Sequence, residues 1–237
     1  PLKLSYFAET PIQNSKPYRL MSAKKGIDST VIYLSKSDAA GSPNAENLTK
    51  SMFTHDVTSG YKSVFCKKSS FSRKKGFFSN LCFDTWRYAK ESDIVVVYDH
   101  NRLSSWLAMI GAKLHGRKLI LANDATSTKG SSRSGGWKVK LKPHFLRFMY
   151  NIWADALYVP STAAKLYQIG MGIKEEKICL TPYVVDEDLI IEKSNSTNVN
   201  DFRGSLGISP EATVFVFCAK FIERKRPEDA LLALAGW

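Results

Sequence analysis

The chain has 237 residues, a formal net charge of +12, 44% hydrophobic residues and 24% charged residues. That balance is ordinary for a globular protein and excludes a disordered or fibrous chain. No apolar run approaches the roughly 18 residues that a membrane-spanning helix needs, and the excess of cations favours an anionic partner (nucleic acid, membrane surface or substrate) without choosing among them.

The chain opens on Pro1, so its true start is expected to be missing or processed, and its first residues lack a signal-peptide layout. Residues 2–7 read as a first strand, ended by Ala8-Glu9-Thr10-Pro11. A helix then runs to Gly26, and residues 30–34 read as a second strand, which makes a βαβ opening. The opening lacks GxGxxG, so it carries no dinucleotide fingerprint. Residues 35–80 are irregular, rich in Ser, Asn and Lys, with a basic cluster at Lys67, Lys68, Arg73, Lys74 and Lys75. Residues 82–90 read as a helix and 93–98 as a continuous apolar strand of the parallel-sheet type, followed by Asp99-His100-Asn101.

Residues 104–115 read as an amphipathic helix closed by Gly116, and 118–122 as the next strand, ending in Asn123-Asp124. A polar loop over 127–136 leads to a helix with Leu141, Phe145, Phe148, Met149, Ile152 and Trp153 at helical spacing, flanked by Lys138, Lys140, Lys142 and Arg147. It reads as a core-facing helix with a basic outer face; a helix lying on an anionic membrane is the alternative. Residues 156–160 form a further strand, Ser161 caps a helix over 162–169, and 177–180 form a short last strand. Apolar periodicity fails over 187–209, where an interdomain linker is placed with a short helix at 201–206. Cys66, Cys82, Cys179 and Cys218 show no metal spacing and read as reduced, packed thiols of a cytosolic protein, with Cys179 and Cys218 in buried strands.

The last stretch organises the reading. Residues 213–218 are β-branched and aromatic and read as a buried strand. Pro227 suits the first position of a helix whose apolar face is Leu231, Leu232 and Leu234. Between them, residues 219–226 carry Lys220, Arg224, Lys225 and Arg226 at the carboxyl end of that strand, where open α/β sheets bind ligands. Glu228 and Asp229 oppose a phosphate at the helix end, so Lys220 and Lys225 would have to hold it. A solvated basic loop accounts for the same residues equally well.

Strand, Ala-Lys-Phe-Ile-Glu-Arg-Lys-Arg-Pro, helix resembles the start of the C-terminal domain of family 4 glycosyltransferases, roughly Gly-(Arg/Lys)-Leu-x-x-x-Lys-x-Pro. Upstream stretches are similar to the same family in order and spacing. They are Ala154-Asp155 through Ser161, Gly170 through Ile178, Pro182-Tyr183-Val184-Val185-Asp186, and Arg203 through Ile208. Pro11-Ile12-Gln13, Pro17-x-Arg19 and Asp56…Gly60-Tyr61 resemble a bacterial subgroup of it.

The resemblance implies a GT-B fold, which is α/β. A Rossmann-like parallel sheet with helices on both faces forms an acceptor domain over 1–186. A linker and the incomplete first strand–loop–helix of a second Rossmann-like domain follow over 187–237. It implies transfer of a sugar, with retention, from a nucleotide-diphosphate donor to a glycan or lipid-linked acceptor in cell-envelope or exopolysaccharide synthesis. No metal or other cofactor is implied, and no nucleic acid. Lys220 and Lys225 would contact the donor diphosphate. Thr10, Gln13 and Asn101 would line the acceptor side.

His100 would substitute for a family His that is absent after residue 122, or serve as a structural hydrogen-bonding residue. Asp124 would bind sugar hydroxyls, or serve as a turn residue. The family's Glu-x7-Glu motif would lie past residue 237, making this chain an inactive fragment. The implied location is the cytoplasm, with contact at the inner face of the cell membrane as an option. A basic nucleic-acid-binding module and a GT-B sugar-nucleotide epimerase are the alternatives.

Overall fold

The computed structural model describes residues 1–11, 15–35, 58–98, 100–126, 144–219, 221 and 223–235. Contacts divide the chain into two units, Pro1–Asp186 and Glu187–Trp237. The first is a seven-stranded, all-parallel sheet. Its elements are β1 (Leu2–Ala8), α1 (Ser15–Ala23), β2 (Ile27–Tyr33), β3 (Ser63–Phe65), α2 (Asp84–Glu91) and β4 (Ile94–Val97). They continue with α3 (Leu103–Leu114), β5 (Lys118–Ala122), a π-helical turn (Met149–Trp153), β6 (Ala156–Val159), α4 (Thr162–Gly170) and β7 (Ile178–Leu180). The spatial order is β3-β2-β1-β4-β5-β6-β7. The chain therefore winds outward from β1 in one direction, returns across it, and winds outward in the other.

Strand register sorts side chains between two faces, because successive residues point to opposite sides. Phe7 aligns with Ile32 on one neighbour and Val97 on the other, and the row continues through Leu121, Leu157 and Ile178. This aliphatic face packs under α2, α3, the π-helical turn and α4, through Ala89, Ala108, Met109, Ala112, Met149 and Ala164. Small residues let the layers close. A Cβ on Gly111 of α3 would lie 3.3 Å from the Trp86 carbonyl oxygen of α2. The opposite face carries Tyr6, Val31, Tyr33 and Val96, covered in part by Tyr18 of α1.

Asp155, just before β6, braces three elements. It accepts from the Leu119 amide at 2.9 Å and from Lys118 and Lys113 at 3.0 and 3.1 Å. Burial alone would raise its pKa, but these donors outweigh that and hold it at about 2. The cap expected at Ser161 is present, its Oγ accepting from the Ala164 amide at 3.1 Å.

Four expectations differ from the structure. β3 is an unforeseen strand in the irregular stretch, three residues long and paired only to β2. The helix over 141–153 is described from residue 144. It buries Met149 and Tyr150 but exposes Phe145, Phe148 and Ile152, so its outer side is not simply basic. At 100° per residue Phe145, Phe148, Met149, Ile152 and Trp153 span about 140°, and the three exposed residues lie together along one edge of that arc. Cys179 is exposed because β7 is the sheet's edge, while Cys82 is buried and Cys66 half-buried.

The fourth difference lies in the second unit. Over 187–209 a linker with a short helix at 201–206 was expected; helix α5 (Glu187–Ser196) forms unforeseen, while α6 (Val199–Ser205), capped by the Asn198 side chain, answers to the expected short helix. Residues 213–218, Cys218 included, are not a buried strand. Six residues of strand-forming composition cannot satisfy their own backbone groups, and no described strand pairs with them. Helix α7 (Pro227–Ala235) forms with Leu231, Leu232 and Leu234 exposed.

Candidate functional site

In a parallel sheet every strand ends at the same edge, and a crevice opens where the winding reverses. Here that reversal lies between β1 and β4. Ala8-Glu9-Thr10 leaves β1 there, and Tyr98 and His100-Asn101 leave β4. Asn123-Asp124 leaves β5 one strand further on. The sequence-selected Thr10, His100, Asn101 and Asp124 therefore share one edge of the sheet. Gln13 and Lys220 lie outside the described residues.

The reversal is braced by an ion pair. Glu9 bonds the Arg102 guanidinium, which also bonds Ser79 Oγ and reaches the Gly76 carbonyl at 3.3 Å. Arg102 is 12% exposed at its side chain, and its Nε is buried without a partner among the described residues. Asn80 Nδ2 adds a contact to Glu9 at 3.5 Å.

Next to it stands a chain of phenols. Tyr98 and Tyr183 share a hydroxyl hydrogen bond at 2.8 Å, and the Tyr183 hydroxyl donates to Asp124 Oδ2 at 3.3 Å. Deeper, Tyr6 and Tyr158 bond through their hydroxyls, Tyr33 bonds Tyr61 at 2.7 Å, and Tyr18 packs edge-on to Tyr6 at 4.9 Å. Burial is the main cause that raises the pKa of Tyr6, Tyr98 and Tyr183 and pushes Tyr158 up to about 12. These hydroxyls stay protonated at neutral pH and can donate to a carboxylate or a sugar oxygen.

His100 and Asn123 meet at one side chain. The His100 ring stands edge-on to Tyr150 at 6.1 Å, and Asn123 Nδ2 donates to the Tyr150 hydroxyl at 2.6 Å. Asn123 Oδ1 also accepts from the Ala125 amide at 2.8 Å, which forms the turn. Asn123 thus takes the turn role, and Asp124 stands exposed with Tyr183 as its partner. The His100 backbone is tied as well, its carbonyl accepting from Trp106 Nε1 at 2.8 Å.

Three stretches singled out in the sequence converge beside α1. Asp186 pairs with Arg19 and stands 3.8 Å from Lys16. Gly60, at φ +80°, lies against Arg19; a Cβ there would sit 2.7 Å from Arg19 Cδ. Tyr61 packs on Tyr18 at 5.3 Å. The end of the first unit is thereby fastened to its first helix.

Lys225 belongs to the second unit, exposed in a short turn, Glu223–Lys225. Its neighbour Arg226 adopts φ +48° and bonds Asp229 at 2.7 Å, so one first-turn acid of α7 is occupied. Among the described residues no group of three or more His, Cys, Asp or Glu is placed to hold a metal ion. Nor is any described helix long and apolar enough to cross a membrane.

Sequence reasoning missed Arg102, Tyr98 and Tyr150. The available signal was the placement of Tyr6, Tyr33, Tyr98 and Tyr158 at the carboxyl ends of strands.

No family model matches the chain, and no curated protein matches it in sequence. Solved structures do. HepE from Anabaena in complex with UDP-glucose superposes with a TM-score of 0.55 at 14% identity, over 87% of this chain and 50% of that one. Sucrose-phosphate synthase from Thermosynechococcus elongatus gives 0.58 at 12% identity, over 100% and 60%. UDP-N-acetylglucosamine 2-epimerase from Rickettsia bellii gives 0.50 at 14% identity, over 88% and 52%. The fold is GT-B. The chain spans about half the length of the first of these GT-B proteins.

Proposed function

We propose that the protein carrying this chain is a glycosyltransferase. It moves a sugar from a nucleotide-diphosphate donor to a glycan or lipid-linked acceptor, with retention, in cell-envelope or exopolysaccharide synthesis. The observation that carries this reading is the polar edge at the β1/β4 reversal, in a fold shared with a protein bound to UDP-glucose. Asp124 and its phenol partners are suited to accept and donate hydrogen bonds to acceptor hydroxyls, Thr10 and Asn101 leave the same edge of the sheet, and Gln13, outside the described residues, would be a further acceptor contact. His100 stands beside this group as a candidate acid–base residue.

Lys220 and Lys225 would stabilise the departing diphosphate. Fixed cations there act on charge that develops in the transition state, so they need no bound metal. The work is done in the cytoplasm, and no nucleic acid is a partner. Since the chain matches only part of each of these proteins, the activity is assigned to the whole protein that contains it.

Isothermal calorimetry with UDP and GDP, comparing the whole protein with Lys220→Ala and Lys225→Ala, tests the donor assignment. Undiminished affinity in both variants would overturn it. A second reading, a sugar-nucleotide epimerase, is favoured by the likeness to the Rickettsia bellii enzyme. Product analysis with a labelled nucleotide sugar separates the two. An epimerised nucleotide sugar formed without acceptor would replace the transferase reading.

A further inference from the structure

We propose that the loop over 67–78, together with the outward side of the helix over 144–153, forms a docking surface for an anionic lipid bilayer. The sequence supplies the chemistry. Residues 67–83 hold five cations, no acid, and Phe71, Phe77, Phe78 and Phe83. Among the described residues, Lys67, Lys68, Arg73, Lys74 and Lys75 enter no ion pair, and all five are exposed. Phe71 is 78% exposed.

The loop is built to hold these rings outward. The Arg73 amide donates to the Phe78 carbonyl at 3.0 Å, Ser79 to Gly76 at 3.0 Å, and Ser69 to Leu81 at 2.8 Å. The Leu81 amide is held by Ser72 Oγ at 3.1 Å. Phe77 and Phe78 pack edge to face at 5.5 Å, and the Arg73 guanidinium lies over the Phe78 ring at 5.5 Å. A hydrogen-bonded frame therefore keeps apolar rings in solvent where a collapsed loop would have hidden them.

A second apolar strip also reaches the first turns of α3. The Leu103 amide, in the first turn of α3, donates to the Phe77 carbonyl at 2.8 Å. One turn later Trp106 packs against Phe145 at 5.7 Å and Trp153 at 6.0 Å. Phe145, Phe148 and Ile152, spaced three and four residues apart, are all exposed on that helix. Both strips thus border the start of α3.

Unpaired cations around protruding rings match the layered chemistry of an anionic bilayer surface. The rings enter the acyl boundary while lysine stems reach up to the headgroups. Single-stranded nucleic acid could also use cations and rings. Ile152, however, offers no π-face for a base, and a bilayer uses aliphatic and aromatic carbon alike. This surface is argued without reference to the donor sugar, so it stands or falls separately from the proposed reaction.

The test is co-sedimentation of the chain with phosphatidylcholine vesicles, with and without phosphatidylserine, at low and high salt. Binding is expected only with phosphatidylserine and is expected to weaken with salt. Lys67→Gln/Lys68→Gln/Lys74→Gln/Lys75→Gln should lower the partition coefficient about 600-fold, since each of the four cations near such a surface contributes about five-fold. Phe71→Ser/Phe148→Ser, one ring from each strip, should lower it about ten-fold by removing apolar insertion. All six positions are exposed, so both variants should keep the wild-type circular dichroism and melting temperature. No binding to phosphatidylserine vesicles, unchanged binding in both variants, or tighter binding to single-stranded DNA than to the vesicles would overturn the proposal.

Discussion

Asp155→Asn tests whether one carboxylate braces the sheet. The carboxyl's pKa falls from an ordinary 3.8 to about 2 on folding. At about 1.36 kcal/mol per pH unit, that gap sets a ceiling of about 2.5 kcal/mol. The side chain is 30% exposed, and both its lysine partners are reached by solvent, Lys118 more than Lys113. Screening therefore brings the expected loss to about 1–2 kcal/mol.

The asparagine can still accept from the Leu119 amide, so the loss isolates the charge. The sign follows from linkage. A depressed folded pKa gives stability that is fully present above about 3.8 and disappears as pH falls through about 2. Urea unfolding at pH 7 and across the acid range is the assay. Wild type and variant should differ at pH 7 and converge near pH 2. A constant difference across that range would refute the electrostatic account and leave a steric one. No difference at pH 7 would refute the brace altogether.

Glu9→Gln should cost about 2–3 kcal/mol, below the 3–5 typical of breaking a buried pair, because Arg102 keeps Ser79 and the Gly76 carbonyl; thermal unfolding reads it, and an unchanged melting temperature refutes the pair's importance. Gly60→Ala should destabilise by at least about 1 kcal/mol, since it places a Cβ at positive φ and 2.7 Å from Arg19 Cδ. Arg19→Ala should relieve the steric part, and a double-mutant cycle with no coupling would refute that contact. Burial raises the Tyr6, Tyr98 and Tyr158 phenols, so stability should be full below about pH 10 and decline as pH rises towards about 12. Absorbance titration of phenolate, run beside circular dichroism, checks it: ionisation of every tyrosine near pH 10 in folded protein would be the contrary result.

The sheet was legible where strands are continuous apolar runs. β4, β5 and β6 are buried between layers, and composition alone marks them. β3 was not legible, because Ser-Val-Phe gains its pairing from β2 and not from any pattern of its own. Residues 213–218 show the converse: composition suited to a strand does not make one without a neighbour to bond. At the candidate site, the loops were legible because parallel strands must end together. The partners within them were not. Glu9 and Arg102 are 93 residues apart, and Tyr6 and Tyr158 are 152 apart. No local pattern reports such pairings. The dipeptide Asn123-Asp124 likewise offers two side chains for a turn, and only the fold assigns the turn to Asn123.

The placement of β1 also sets the order in which this sheet can assemble. β1 has one neighbour, β2, close in sequence, and another, β4, that arrives about 90 residues later. Until β4 is made, a nascent chain presents β1, an interior strand of the finished sheet, with one edge open, its Phe7 and Tyr6 unsheltered on that side. Pairings of such long range close slowly, on the order of milliseconds to seconds rather than microseconds. A cell making this protein must therefore shield this strand during the interval when it is least covered.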